Sequence, residues 1–289
     1  MRYGLPYQGS KSKLAERIVA LLPEAEHLYD IFAGGCAVTH CALAQTGLFK
    51  KWRYIYVNDI TDMPTLFFNT IEGKYADERR WISREDFHRL KDTDPYVRTV
   101  WSFGNRGESY LYSRKLEPYK KALHKMLFAD TVQQRRVLYR TVVKELLPLL
   151  PLPQTSERGI QSLQSLQRLQ RLESLERLQS LQRRNAAWEQ TAGLTQLDYR
   201  DVAIEPNSVI YADPPYRGTQ KYGKATFDHE AFYDWCEQQT QPLFISEYWM
   251  PEDRFTCIAE WSRVSSMCAT NNSLRVTERI FRPNTQLNM

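Results

Sequence analysis

The 289-residue sequence predicts an α/β protein whose sheet is divided along the chain by an inserted, mostly helical domain. Short apolar segments alternate with helical patterning at both ends of the chain. A glycine turn links the first apolar segment to a helix. The alternation then stops between about Arg84 and Lys144, where a polar, aromatic and basic stretch of helical character intervenes.

The elements follow in order. Leu14, Ile18, Leu21 and Leu22 recur at helical spacing behind the polar Gln8-Gly9-Ser10-Lys11-Ser12, which predicts an opening loop and an amphipathic helix. His27 to Phe32 reads as a buried strand that ends in Ala33-Gly34-Gly35, and Cys36 to Leu43 as a helix. Strand, glycine turn and helix in that order make a nucleotide-type site. Arg53 to Val57 is a second strand, closed by Asn58-Asp59. Beyond the insert, whose last helix ends at Pro148, Pro151 and Pro153, strands resume at Ser208 to Ala212, Leu243 to Tyr248, Phe255 to Glu260 and Val276 to Phe281.

Hydrophobic residues make up 42% and charged residues 25%, ordinary for a globular chain, and no apolar run is long enough to cross a bilayer. Met1 to Leu14 lacks the basic-then-apolar pattern of an export signal, so a cytoplasmic protein is expected. Cys36, Cys41, Cys236, Cys257 and Cys268 are scattered, with no C-x-x-C and no histidine at ligand spacing; they read as reduced packing residues, and no metal is expected.

The net charge of +5 is modest, but its placement is informative. From Arg98 to Lys144 eleven Lys or Arg face three acids, leaving the rest of the chain net acidic. Trp101, Phe103, Tyr110, Tyr112 and Tyr119 are interleaved with those bases, a composition that suits a phosphate backbone and stackable bases, or else a solvated helical face.

Asp213-Pro214-Pro215-Tyr216 directly follows the apolar strand Ser208 to Ala212, at the sheet edge where open α/β folds hold their ligands. These residue types suit methylation of an exocyclic amine. Such a nitrogen is a poor nucleophile because its lone pair is delocalised into the ring. If Asp213 and the Pro214 carbonyl both accept from the amine hydrogens, the nitrogen becomes pyramidal and its lone pair faces the methyl donor. The two prolines fix that carbonyl, and Tyr216 stacks on the base. A proline-stiffened turn is the plainer alternative.

Here the chain resembles the Dam-like family of adenine-N6 DNA methyltransferases, whose signature is this tetrapeptide after a strand. Tyr7-Gln8-Gly9-Ser10-Lys11 is similar to the family's opening aromatic-then-lysine loop, and the resemblance implies that Tyr7 and Lys11 line the pocket for S-adenosylmethionine. Asp30-Ile31-Phe32-Ala33-Gly34 matches the acidic-x-Phe-x-Gly loop, implying cofactor contacts from Asp30, Phe32 and Gly34; this chain continues Gly35-Cys36 where the family usually has a further small residue. Asp59 matches the acid that holds the ribose hydroxyls, with helix capping as its ordinary alternative. Asp198 within Leu197-Asp198-Tyr199 matches an acid near the cofactor's adenine, and Tyr222 with Phe227-Asp228 a segment bordering the flipped base, with core packing the equal alternative for Phe227. The resemblance thus implies a Rossmann-like methyltransferase sheet, S-adenosylmethionine as the only cofactor, and double-stranded DNA as partner. Neither a membrane nor an obligate protein partner is expected, and monomeric action is the default.

Four segments are expected: a cofactor-binding half over 1–80, a target-recognition insert over 81–155, an arm over 156–190 and a catalytic half over 191–289. Dam's own recognition signature is absent from the insert; Trp101-Ser102-Phe103-Gly104-Asn105-Arg106-Gly107 stands instead. Asn105 and Arg106 are candidate base contacts, since asparagine pairs with adenine and arginine with guanine. Arg114 and Lys115 are further DNA contacts, and phosphate contact or a plain turn remains open for this stretch. In the arm, leucine recurs every third residue from Leu163 to Leu181. At about 100° per residue such leucines slip by about 60° each time, so they wind around a helix without forming one stripe. A flexible or poorly packed projection is expected. The alternative is that Arg168, Arg171, Arg177, Arg183 and Arg184 touch DNA. An RNA base or a protein glutamine as methyl acceptor, or a catalytically idle DNA-binding module, are the rival readings.

Overall fold

A computed structural model describes residues 3–5, 9–45, 49–141, 191–217, 227–264 and 275–287. Tyr7, Tyr222, Cys268, the prolines after the insert and the leucine repeat lie outside the described residues. The described residues divide into two compact units: Met1–Gly4, Ser10–Phe67 and Ala186–Met289 contribute to one, Leu5–Gly9 and Phe68–Asn185 to the other.

The first unit is built on a seven-stranded sheet. In chain order its strands are β1 (His27–Asp30), β2 (Tyr54–Asn58), β3 (Thr191–Thr195), β4 (Ser208–Ala212), β5 (Leu243–Glu247), β6 (Phe255–Val264) and β7 (Arg275–Pro283). Across the sheet they lie β3-β2-β1-β4-β5-β7-β6. The first five pair in parallel, while β7 runs antiparallel between β5 and β6. This is a Rossmann-like α/β sheet closed by an antiparallel hairpin. Chain order runs outward from β1 to β2 and β3 on one side, and through β4 to β5 on the other, so β1 and β4 flank the topological switch point. The crevice outside their carboxyl ends is where such sheets bind ligands.

Local chemistry explains these elements. β4 and β5 are buried at every position, as parallel strands covered on both faces must be. Helices α1 (Ala15–Leu21) and α2 (Ala37–Leu43) pack together, and α2 lies against β2. A later helix, α8 (His229–Gln238), is capped by Asp228, whose carboxylate accepts from the Ala231 amide. It contributes Phe232, Tyr233 and Cys236 to a core with Tyr29, Ile210, Ile245, Phe255 and Phe281. Each large side chain so buried stabilises the fold by about 1.5–3 kcal/mol.

Two expectations need adjusting. β1 ends at Asp30, because Ile31 already belongs to the turn, and the helix that follows starts at Ala37 with Cys36 held at φ 57. β3, absent from the sequence reading, forms by pairing with β2; a Cβ at Gly193 would lie 3.0 Å from the Tyr56 ring.

Between these elements run α3 (Met63–Ile71), α4 (Arg84–Leu90), α5 (Pro95–Val100), α6 (Glu117–Leu127) and α7 (Val132–Thr141). Four of the five lie wholly in the second unit, in keeping with a mostly helical insert. Ser83 caps α4 and Asp94 caps α5, whose first residue is proline, so both starts are fixed by sequence. Trp101, Tyr110 and Tyr112 are only 0%, 4% and 8% exposed. They pack with Trp81, Phe87 and His124, and the Tyr110 hydroxyl donates to the Ile82 carbonyl. These three rings are core, which overturns the expectation that they stack on bases. Phe103, at 59% exposed, is different.

Candidate active site

Asp213 leaves the carboxyl end of β4 into a turn stiffened by Pro214 and Pro215. His229, the first residue of α8, donates from Nε2 to the Pro215 carbonyl at 3.1 Å, tying the turn to a helix. Lys11 reaches the turn from the loop before α1. Its ammonium, on a side chain only 6% exposed, lies 2.8 Å from Asp213 Oδ1 and 3.8 Å from Glu278 Oε2 of β7, and 4.6 Å from the centre of the Tyr216 ring. The Tyr216 hydroxyl donates to Glu278 Oε2 at 2.7 Å, and its ring meets Tyr248 edge-on. Two carboxylates, one ammonium and an aromatic ring therefore converge at the edge marked by the switch point. Burial pushes the Asp213 carboxyl up, against the pull of the Lys11 charge. Glu247, at the end of β5, is pushed up to about 8 by burial, although the Arg217 and Tyr248 amides both donate to it.

At the end of β1, Asp30 is buried, and its Oδ2 accepts from the Thr39 hydroxyl and amide at 2.6 and 3.2 Å. Burial lifts its carboxyl to about 7, with the charges of Asp213 and Asp59 adding to the rise. Oδ1 of Asp30 is buried without a hydrogen-bond partner among the described residues. Such an acceptor is costly to leave unmet and suits an ammonium such as that of a methionine moiety. Asp59, after β2, accepts from the Gly34 amide with Oδ2 and from the Thr61 amide and hydroxyl with Oδ1. This holds the glycine turn, whose backbone at Gly34 has φ +47, against the end of β2. The residues fit S-adenosylmethionine: Asp30 and the Gly34 turn would hold the methionine part, and Asp59 would hold the ribose.

Not every expected residue joins this group. Asp198 caps the short helix Tyr199–Asp201, and its carboxylate is paired with Arg200 at 2.7 Å. Phe32 packs among the rings of Tyr199, Phe227 and Phe232. In the second unit, a turn closed by a Ser102–Tyr110 bridge presents Phe103, Gly104 and Arg106 to solvent. Asn105 has φ 59 and donates from its amide to the Thr99 carbonyl, so it helps build that turn; Arg114 and Lys115 are exposed.

The sequence reading missed several residues. Glu278 and Glu247 were passed over because a single acid in or at the end of a strand resembles a solvent position. Asn58 escaped too: it bonds the Ile31 and Leu197 carbonyls, the Leu197 amide and the Thr195 hydroxyl, joining the turns after β1, β2 and β3. Its place one residue before a candidate ribose acid was the available signal.

A Rossmann-like sheet with acids at the ends of β1 and β2 and an Asp-Pro-Pro-Tyr turn at β4 defines a methyltransferase. The family profile of the D12 class N6 adenine-specific DNA methyltransferases matches residues 7–244, and the chain belongs to that family. It is thus an S-adenosylmethionine-dependent enzyme that methylates adenine N6 in DNA. No curated protein matches the chain. Two solved structures of the rRNA methyltransferase aviRa from Streptomyces viridochromogenes, at 1.5 and 2.4 Å, align over 95% and 94% of this chain and 84% of theirs. With 9% identity and a TM-score of 0.38 in both cases, they add nothing to the assignment.

Proposed function

We propose that the chain is a site-specific enzyme acting on an adenine taken out of double-stranded DNA, with Asp213 and the Pro214 carbonyl as the acceptors that orient its amine. The supporting observation is the buried meeting of Lys11, Asp213 and Tyr216 beside β1 and β4. S-adenosylmethionine, when bound, supplies an electrophilic sulfonium methyl, and this chemistry asks for no metal. Asp213 and Pro214 draw the amine hydrogens so that the nitrogen lone pair forms the new N–C bond as the S–C bond breaks. The surplus proton leaves along the hydrogen bond to Asp213, whose raised proton affinity suits that task. Tyr216 offers its ring to the base, worth about 1–3 kcal/mol against the few kcal/mol of extrusion.

The basic insert is read as the target-recognition part, with Arg106, Arg114 and Lys115 on DNA and Asn105 shaping the turn that carries Arg106. Asp198 and Phe32 are kept as cofactor-side residues, and Tyr7 and Tyr222 as pocket residues by resemblance. The segments 1–80, 81–155, 156–190 and 191–289 are proposed as cofactor half, recognition insert, arm and catalytic half. A DNA-associated monomer of the cytoplasm is the working state; among the described residues no helix is long and apolar enough to span a membrane.

The test incubates the pure protein with labelled S-adenosylmethionine and separate pools of DNA, RNA and protein, followed by digestion. Label in N6-methyladenine of DNA alone is the expected result. Label confined to RNA or to glutamine would refute the reading. Sequencing the methylated positions then gives the target.

A further inference from the structure

In the structure the acceptor assigned to the adenine amine is already engaged: Asp213 Oδ1 holds the Lys11 ammonium at 2.8 Å. A carboxylate neutralised by an ammonium is a weaker acceptor for an amine hydrogen and a weaker partner for positive charge developing on nitrogen. Lys11 must therefore turn away when the base enters. With only 6% of its side chain exposed, it cannot simply withdraw into water without a rearrangement of the loop that carries it. A second carboxylate is already within reach, 3.8 Å away on β7. The β7 register places Arg279 opposite Glu247 and so sets Glu278 just beyond the carboxyl end of β5. The same Glu278 oxygen accepts from the Tyr216 hydroxyl at 2.7 Å.

We propose that Glu278 is a positioning residue for methyl transfer: it takes over the Lys11 ammonium as Asp213 turns to the adenine amine, and it holds the Tyr216 ring in place meanwhile. Glu278 touches neither base nor methyl donor; it acts through Lys11 and Tyr216. The proposal rests on Asp213 being the amine acceptor. The transfer of the ammonium is short, about the 1 Å by which the two distances differ. It loosens the ammonium's hold on Asp213 and frees Oδ1 to accept from the amine as the nitrogen becomes cationic. The cluster of two acids and one base thus works as a counter-ion relay.

Glu278→Gln keeps an oxygen that accepts from Tyr216 but removes the charge that attracts Lys11, so it separates the two tasks. Steady-state kinetics on unmethylated DNA should show kcat reduced about tenfold or more, with the KM for S-adenosylmethionine changed by less than about twofold. Glu278→Asp, which keeps the charge, should recover part of the loss. In a Lys11→Gln background, Glu278→Gln should cost little more, because the group through which it acts is gone. Thermal melting of every variant gives the folded fraction. A kcat for Glu278→Gln within twofold of the parent, an equal loss in Glu278→Asp, or full additivity with Lys11→Gln overturns the proposal. Asp213→Ala, run alongside, tells the two failures apart: if it retains transfer, the amine-acceptor reading falls and this proposal with it. If it is inactive while Glu278→Gln is normal, only the role of Glu278 falls.

Discussion

Asp59 reaches from the end of β2 to the glycine turn after β1, its Oδ2 accepting from the Gly34 amide at 2.8 Å while Oδ1 is taken by Thr61. Removing that carboxylate as Asp59→Ala leaves the Gly34 amide without its partner and the turn without its anchor. The expected outcome is a stability loss of about 1–3 kcal/mol in denaturant melts. S-adenosylmethionine affinity by calorimetric titration should weaken by about tenfold or more if, as proposed, Asp59 also accepts from the ribose. Unchanged affinity would remove Asp59 from the cofactor site.

Gly4 supports the same turn from beneath. Its amide donates to His40 Nδ1 at 2.9 Å, its φ is +68, and a Cβ built on it would lie 2.7 Å from the Ala37 amide nitrogen and closer still to the Gly35 carbonyl oxygen. Gly4→Ala combines a left-handed backbone with a backbone collision. It should cost at least about 2 kcal/mol in thermal or denaturant unfolding, and weaken S-adenosylmethionine binding through displacement of the turn.

Asp213→Ala should abolish methyl transfer, by about 10²–10³-fold or more, while DNA affinity by gel shift or anisotropy stays within about twofold. Transfer at the parental rate is the result that would contradict the assigned chemistry.

Glu247 makes stability depend on pH. Its carboxyl is held near 8 by burial, against an ordinary value of 4.5, so between these values the folded state keeps a proton that the unfolded chain releases. Stability is therefore fully supported below about pH 4.5 and declines as pH rises toward about 8, by up to a few kcal/mol. Urea melts across that range should show this slope, and Glu247→Gln should flatten it.

Exposed Arg106 is expected to contact DNA and the exposed Phe103 ring to pack on it. Arg106→Ala should cost about 1–3 kcal/mol of DNA affinity, with relaxed sequence preference if the contact is to a base and a shallower salt dependence if it is to phosphate. Phe103→Ala should weaken DNA binding without changing the affinity for S-adenosylmethionine.

How much of this was legible in advance follows from where the forces act. β4 announced itself because a strand covered on both faces is apolar at every position, and its expected bounds, Ser208 to Ala212, are those observed. Asp213 and Tyr216 were legible for the same reason: they follow an unmistakable strand. β3 was illegible because Thr-Ala-Gly-Leu-Thr has no buried pattern and becomes a strand only by pairing with β2 at the sheet edge. Trp101, Tyr110 and Tyr112 were misread because aromatic residues among basic ones look alike whether they face DNA or each other; only the packing decides. Glu278 could not be placed, since its neighbours in space come from residues 11, 213 and 216, far away along the chain.

The antiparallel strand β7 sits between β5 and β6, so one corner of the Lys11–Asp213–Glu278 cluster comes from a strand whose Glu278 lies 62 residues beyond Tyr216. While the protein is being synthesised, Asp213 and Lys11 can meet well before Glu278 exists. On the proposed role of Glu278, a nascent polypeptide completes this counter-ion set only once β6 and β7 have been translated and paired into the sheet, so methyl transfer should reach its full rate only then.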